Sequence, residues 1–458
     1  MTSVALGPAT TIDKDGVLKW GFHNGFSTPE DLTGGDWVDT QGATGAGGHF
    51  VEDTATGTHA VQQLQTFING VEFVARVKVK PNGRDFRLNG ATPATWPGDV
   101  YFNLSTGEVS SEVGGVGTIS EIDADGYYLC TVTATATASA NTSLRFAGVD
   151  AGDPTYSGDG VSGFYAKEPR IYRNDLGGMQ RSSKDGSDYL AAGGYALRRD
   201  YSRDTVNGEI LGEPAGVNLA VNSQTFSGYT VVRLTAGAAG VSPSGQTDAN
   251  FYAISTDDNT HIFQTQAASP SVDVVSGTVY TNSIFIKPNG HNYWMLQYGT
   301  NNGAFQAEGA VFDLSDGTAI ALTTNAPDDF SIDALANGWF RVSVTATCAG
   351  TTSSPVVRFQ AVTAKSAAPT TSFAGDGSSG AYIWGNQFEA YHVATSLIIT
   401  GASSEARAKD EASCVIADSI PGFIQGSGSL VFEGSMEYET GGSVFARFFQ
   451  IDDGTSDD

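Results

Sequence analysis

Residues 380–410 read GAYIWGNQFEAYHVATSLIITGASSEARAKD, and the reading of this stretch decides the fold. Three large aromatic residues, Tyr382, Trp384 and Phe388, share one parity along it. Side chains of one parity on an extended chain point to one face, so the pattern predicts a half-buried strand. A Ser/Thr-flanked aliphatic run, Leu397-Ile398-Ile399, follows, then a polar exit through Glu405-Ala406-Arg407-Ala408-Lys409-Asp410. The physical reading is the closing strand of a β-sandwich followed by a linker.

Upstream, the chain is written twice. Val77-Lys78-Val79-Lys80-Pro81-Asn82-Gly83 matches Ile284-Phe285-Ile286-Lys287-Pro288-Asn289-Gly290 at an offset of 207 residues. Phe102-Asn103-Leu104-Ser105-Thr106-Gly107 matches Phe312-Asp313-Leu314-Ser315-Asp316-Gly317 at 210. Asp125-Gly126-Tyr127-Tyr128 matches Asn337-Gly338-Trp339-Phe340 at 212, and Gly158-Asp159-Gly160 matches Gly375-Asp376-Gly377 at 217. Collinear matches with a slowly growing offset are what a duplicated domain with loop insertions leaves behind. The Pro-Asn-Gly blocks are expected to be hairpin turns, since proline fixes φ and Asn-Gly tolerates φ > 0. The Leu-Ser-x-Gly blocks are expected to turn one strand into the next. The Gly-Tyr-Tyr and Gly-Trp-Phe blocks should start strands that put Tyr128, Cys130 and Val132, and Phe340, Val342 and Val344, into the core. Each such burial contributes about 1.5–3 kcal/mol.

The predicted organisation is all-β. It comprises an N-terminal hairpin segment (residues 1–23), a first sandwich (24–174), a linker (175–217), a second sandwich (218–391), another linker (392–415) and the start of a third β domain (416–458). First strands are placed at Trp37-Val38 and at Tyr229-Thr230-Val231-Val232. The last part holds two strand-like runs, Gly428-Ser429-Leu430-Val431-Phe432-Glu433-Gly434 and Ser443-Val444-Phe445-Ala446-Arg447-Phe448-Phe449-Gln450-Ile451. Two strands are too few to stand alone, so the natural chain is expected to continue or these strands to complete a neighbouring sheet.

Among 458 residues, 57 glycines and 40% hydrophobic residues suit many short strands joined by tight turns. Basic residues number 24 against 50 acidic ones, a formal net charge of −26. Such a field repels phosphate backbones and argues against nucleic-acid binding. Cys130, Cys348 and Cys414 are odd in number and lack C-x-x-C spacing, so neither disulfides nor zinc are expected. The N-terminus has no basic patch followed by an apolar run, which predicts no signal peptide, and no stretch approaches a membrane span.

The 380–410 stretch resembles the endings of tandem jelly-roll modules in virion proteins of tailed phages, which read approximately Y-I-W-G-A-Q-L-E, then A-T-S-Y-I-P-T, then T-R-A-A-D. It departs where that ending carries proline (Ile398-Ile399-Thr400) and where threonine precedes arginine (Glu405-Ala406). Gly208-Glu209-Ile210-Leu211-Gly212-Glu213-Pro214 and Asn218-Leu219 resemble the same family's connector, with Gly212 and Gly216-Val217 as departures. Asp13-Lys14-Asp15-Gly16-Val17-Leu18-Lys19-Trp20 is similar to its N-terminal hairpin, and residues 416–458 resemble the start of a laminin-G/concanavalin-like domain. The resemblance implies two tandem jelly-roll β-sandwiches in a trimeric fibre, spike or adhesin subunit. It would be made in the host cytoplasm, dock on other virion proteins through its N-terminal segment and meet host surface glycans. A capsid decoration or head-fibre protein is the alternative role, and a glycan depolymerase with its catalytic domain beyond residue 458 is another.

No catalytic centre is expected. Six scattered histidines show no metal-ligand spacing, and neither a nucleophile elbow nor a phosphate loop appears. Glu168 and Glu389, near the ends of the modules' last strands, are the best-placed acids for a glycosidase-like pair but belong to different copies. Asp159 and Asp376 in their Gly-Asp-Gly turns are weak Ca²⁺ candidates; backbone geometry is the simpler reading. No cofactor is expected. For stacking on sugars the aromatic candidates are Trp96, in the loop Thr95-Trp96-Pro97-Gly98, and Tyr293, Trp294 and Tyr298. Trp294 and Tyr298 read first as core residues of a strand, and Trp96 is the expected surface residue.

Overall fold

Apolar side chains at alternate positions draw the described residues into two antiparallel β-sandwiches, the all-β class that the sequence predicts. The computed structural model describes residues 2–413 except 6–8, 22, 27–28, 30, 35, 121–122, 179–198, 201–208, 211, 266–272, 301–302, 353–354 and 408–409. The two runs expected to open a third domain lie outside these residues.

In the first sandwich one sheet runs, in spatial order, Glu108–Val113, Asp99–Asn103, Asp85–Gly90, Ala140–Val149, Ala60–Phe67 and Val38–Thr40. The facing sheet runs Val116–Ile119, Tyr128–Thr135, Glu72–Asn82, Gly163–Arg173, His49–Glu52 and Gly42–Gly45. The second sandwich repeats this order. Its first sheet is Thr318–Ala321, Gly309–Asp313, Tyr293–Tyr298, Val357–Ala361, Ile262–Gln264 and Thr230–Val232. Its facing sheet is Asp329–Ala334, Phe340–Thr347, Val279–Asn289, Gly380–Glu389, Thr247–Ile254 and Leu234–Ala236. Even a minor ribbon, Thr56–Gly57 with Tyr156–Ser157, has its counterpart in Asn259–Thr260 with Ser372–Phe373.

Each core fills from both sheets: Val77, Cys130 and Phe164 face Phe86, Phe102 and Phe146 in the first sandwich. Ile284, Val342 and Ile383 face Trp294, Phe312 and Phe359 in the second. Tyr128 and Phe340 pack against these cores, and Cys130, Val132, Val342 and Val344 are fully buried, as their parity predicts. The Leu-Ser blocks are true hairpins, joining Asp99–Asn103 to Glu108–Val113 and Gly309–Asp313 to Thr318–Ala321.

The Pro-Asn-Gly blocks are not hairpins. Glu72–Asn82 and Asp85–Gly90 belong to opposite sheets, so Gly83 turns a corner between layers, and Gly290 does the same in the second copy. Both have positive φ, +83° and +88°, and each bridges the start of the neighbouring strand in the sheet it leaves, at Gly163 and Gly380. A Cβ on Gly83 would lie 2.6 Å from Ser162 Oγ, and one on Gly290 2.5 Å from Ser379 Oγ. A pattern local to one turn does not say whether the next strand returns in the same sheet.

The closing strand Gly380–Glu389 also differs from expectation, because both of its faces are buried. A bulge between the Trp384 and Gln387 pairings, where Gly385 has φ +62°, reverses parity midway. Ile383 and Phe388 therefore point into the sandwich, while Trp384 points out into a third core with Phe285, Trp339 and Ala249. Ile12, Leu18 and Trp20 of the N-terminal hairpin (Thr10–Ile12 with Leu18–Trp20), together with Leu176, Leu397 and Ile399, cover that face. Leu18 N donates to Pro243 O (2.9 Å) and Thr10 Oγ1 to Leu397 O (2.8 Å). The hairpin thus spends its apolar side inside the chain.

Residues 392–407, expected as a linker, fold back in the same way. Gly216–Asn218 pairs with Glu405–Arg407, and Arg407 makes an ion pair with Glu213. The side chains of Gln387 and Glu389 hold the backbone of Thr395 and Ile398.

Candidate functional site

Trp96, expected at the surface, is fully buried. Its indole stacks on Phe67 (centroids 5.6 Å apart) and donates from Nε1 to Ala134 O at 3.1 Å. A Pro/Gly loop reads as exposed, but here it folds across the end of the sandwich and its one large apolar side chain becomes the plug. Trp294 stacks on Phe359 at 4.9 Å and Tyr298 donates its hydroxyl to Tyr280 O at 2.8 Å, so both are core residues. Tyr293 is half-buried beside Met295, Val311 and Val362. These four residues form no aromatic platform.

Glu168 and Glu389 are not brought together as a pair. Glu168 sits at φ +54° in the bulge of the first sandwich's last strand and meets Lys78 at 3.1 Å. Its counterpart by register is Gly385. Glu389 is buried and accepts from Thr395 N, Thr395 Oγ1 and Gln387 Nε2 at 2.7–2.8 Å. Burial raises its pKa, opposed by those hydrogen bonds. Asp159 and Asp376 both spend their oxygens on the turn that follows. Asp159 accepts from Val161 N, Ser162 N and Ser162 Oγ, and Asp376 from Ser378 N, Ser379 N and Ser379 Oγ, at 2.6–2.8 Å. The Ser162 and Ser379 hydroxyls and amides hold both carboxyls well below the usual carboxylate range. Among the described residues no group of three or more His, Cys, Asp or Glu could hold a metal ion.

Several duplicated side chains escape a reading by composition. His59 and His261 are both fully buried and bridge two loops. His59 Nδ1 lies 2.6 Å from Gln41 O and its Nε2 3.2 Å from Tyr156 O; His261 spans Arg233 O and Phe373 O, both at 2.8 Å. The signal was Thr58-His59 against Thr260-His261, at an offset of 202 that extends the series of matches downward. Elsewhere the copies diverge. Buried Glu52 accepts from Arg84 Nε (3.0 Å) and Nη2 (2.6 Å), from Tyr156 OH (2.7 Å) and from Asp159 N (2.8 Å). The second sandwich puts Ile254, His291 and Phe373 at those places, with the last two rings stacked at 5.7 Å. A pocket of the second sandwich, lined by Tyr229, Asn282, Ile284, Val357 and Asn386 among others, has no carboxylate, histidine or cysteine in its lining.

The feature with most chemistry lies on the outer face of the first sandwich. His49 and Tyr165 stack at 4.1 Å with their planes 9° apart. Lys80 Nζ stands 6.0 Å from the Tyr165 centroid and 5.9 Å from that of Tyr127, and Lys167 Nζ stands 3.9 Å over Tyr127. Asn82 Nδ2 donates to His49 Nε2 at 3.1 Å. These side chains are half-buried and keep access to solvent. They occupy the positions that Phe251, Tyr382, Lys287, Trp339 and Trp384 hold in the second sandwich, where the hairpin covers the face. The hint in the sequence was Lys78 opposite Phe285 within otherwise matched blocks. No protein-family model matches the chain, and no curated protein matches it.

Proposed function

We propose that the chain is a structural subunit of a tailed-phage virion, a fibre, spike or adhesin that presents β-sandwich modules to host-surface glycans. The observation that carries this reading is the duplication of one sandwich, strand for strand, with one copy sheathed and the other open. The second sandwich has its outer face sealed by the hairpin and by residues 397–399, which suits a load-bearing role. The first keeps a polar, aromatic face for display. Rigid modules repeated in a multimer turn weak contacts into useful avidity, and a trimer is the expected assembly. The resemblance of the 380–410 and 208–219 stretches to virion modules supplies the virion setting.

Gold-labelled antibody raised against the full chain tests the reading on purified particles. Labelling at the tail supports a fibre or adhesin, and labelling over the head supports the decoration or head-fibre variant of the role. Particles that stay unlabelled while infected-cell lysate reacts would overturn it.

A further inference from the structure

We propose that the outer face of the first sandwich, centred on Lys80 between Tyr127 and Tyr165, binds a carboxylate-bearing saccharide. The inference deepens the presentation reading above and rests on it for its biological setting, though not for its geometry.

The argument starts from a cost. Lys78 and Lys167 stand directly opposite each other on neighbouring antiparallel strands. Like charges in that arrangement destabilise a sheet, whereas the second sandwich fills the same two places with Phe285 and Trp384, packed edge to face at 5.6 Å. The first copy therefore gives up a favourable aromatic pair for two ammonium groups. With Lys80 the face gathers three cations in a chain that carries only 24 basic residues against 50 acidic ones.

Two of the three are partly neutralised: Lys78 by Glu168 at 3.1 Å and Lys167 by Asp125 at 3.4 Å. Lys80 has no carboxylate partner among the described residues; its polar contact is the Asp125 carbonyl at 3.4 Å. Cation–π attraction to two tyrosine rings holds it in place without cancelling its charge. An ammonium so held accepts an anion at little loss of side-chain freedom. Around it stand the groups that hydroxyls require: Tyr127 and Tyr165 hydroxyls, the Asn82 amide, and the carboxylates of Glu168 and Asp125. A donor-rich and acceptor-rich surface with aromatic edges and a cation that has no carboxylate partner among the described residues fits a polyhydroxylated chain with spaced carboxylates. A neutral glycan leaves Lys80 unused.

Affinity electrophoresis of the full chain tests this in gels containing polygalacturonate, alginate or hyaluronate, with neutral dextran as reference. Retardation by at least one of the acidic polymers and none by dextran is expected. Lys80→Glu should abolish it, Lys80→Gln and Tyr165→Ser should weaken it at least tenfold, and Lys80→Arg should keep it. Lys287→Gln, the matching change on the second sandwich, should have no effect. The arginine and glutamate variants keep the test open if Tyr165→Ser lowers the melting temperature. Absence of retardation in all three acidic gels, or equal retardation of wild type and Lys80→Glu, overturns the proposal. The two readings fail separately. Soluble wild type and Lys80→Glu that block phage adsorption equally sink this site and leave the virion role standing. Polyuronate binding with unlabelled particles does the reverse.

Discussion

Asn24 and Asn218 make the same three hydrogen bonds at the same step of the fold. Asn24 Nδ2 donates to Pro169 O (3.0 Å) and its Oδ1 accepts from Phe26 N and Ile171 N (both 3.1 Å). Asn218 Nδ2 donates to Asn386 O (3.1 Å) and Ile398 O (2.7 Å), and its Oδ1 accepts from Ala220 N and Phe388 N (both 3.0 Å). Each asparagine closes the bulge of its sandwich's last strand, where ladder bonding lapses and backbone groups need another partner.

Alanine at either position should leave a strand amide unpaired, at about 1–3 kcal/mol. Asn218, fully buried with one more bond, should cost more than half-buried Asn24. Urea unfolding followed by tryptophan fluorescence measures both; equal stability of Asn218→Ala and wild type would show the clip to be idle.

Glu52 and Arg84 are a buried ion pair whose place the other sandwich fills with Ile254 and His291. Removing the guanidinium strands the buried carboxylate, so Arg84→Met should cost roughly 3–5 kcal/mol. Glu52→Gln should cost less, because Arg84 keeps Asp150 at 3.6 Å and Asp159 at 3.5 Å. The joint change Glu52→Ile, Arg84→His and Tyr156→Phe, which writes the second copy's solution into the first, should recover most of that loss. Denaturation midpoints of the single and triple variants decide it.

Gly16 turns the N-terminal hairpin at φ +73°, and a Cβ there would lie 2.6 Å from Ala336 Cβ. Gly16→Val should therefore lift the hairpin from the second sandwich and expose Phe285, Trp339 and Trp384 while both sandwiches stay folded. Increased binding of an apolar dye and faster proteolysis near residue 20, with an unchanged far-ultraviolet spectrum, are expected. Trp20→Ala should act more strongly, at about 3–5 kcal/mol.

His23 joins that hairpin to the first sandwich. Its Nδ1 lies 3.0 Å from Gly21 O, and its Nε2 accepts from Arg173 N at 3.0 Å. Burial lowers its pKa from 6.5 to about 4, with Arg173 adding to the effect and the Gly21 carbonyl opposing it. The unfolded chain takes up this proton first as pH falls, so the stabilisation is whole above 6.5 and is lost between 6.5 and about 4. His23→Gln should flatten the part of the pH–stability curve near pH 6, above the range where carboxylates titrate. A curve with the same slope there in both proteins would refute the assignment.

Parity and self-comparison gave the all-β class, the cores built on Cys130, Val132, Val342 and Val344, and the Leu-Ser hairpins. Those features depend on side-chain spacing within one strand or on likeness between two. Whether Gly83 and Gly290 end a hairpin or cross between sheets was decided by which layer the next strand joins, a choice made by distant burial. The same holds for Trp96, which a local reading puts in solvent and the sandwich end takes as a plug. The two faces of Gly380–Glu389 were decided by a one-residue bulge and by a hairpin from the far end of the chain. The Lys80 face was legible only as a mismatch between repeats. Its meaning depends on Tyr127 and on the pair Tyr165 and Lys167 arriving from two other places in the sequence, because a ring and a cation attract through space and not along the chain.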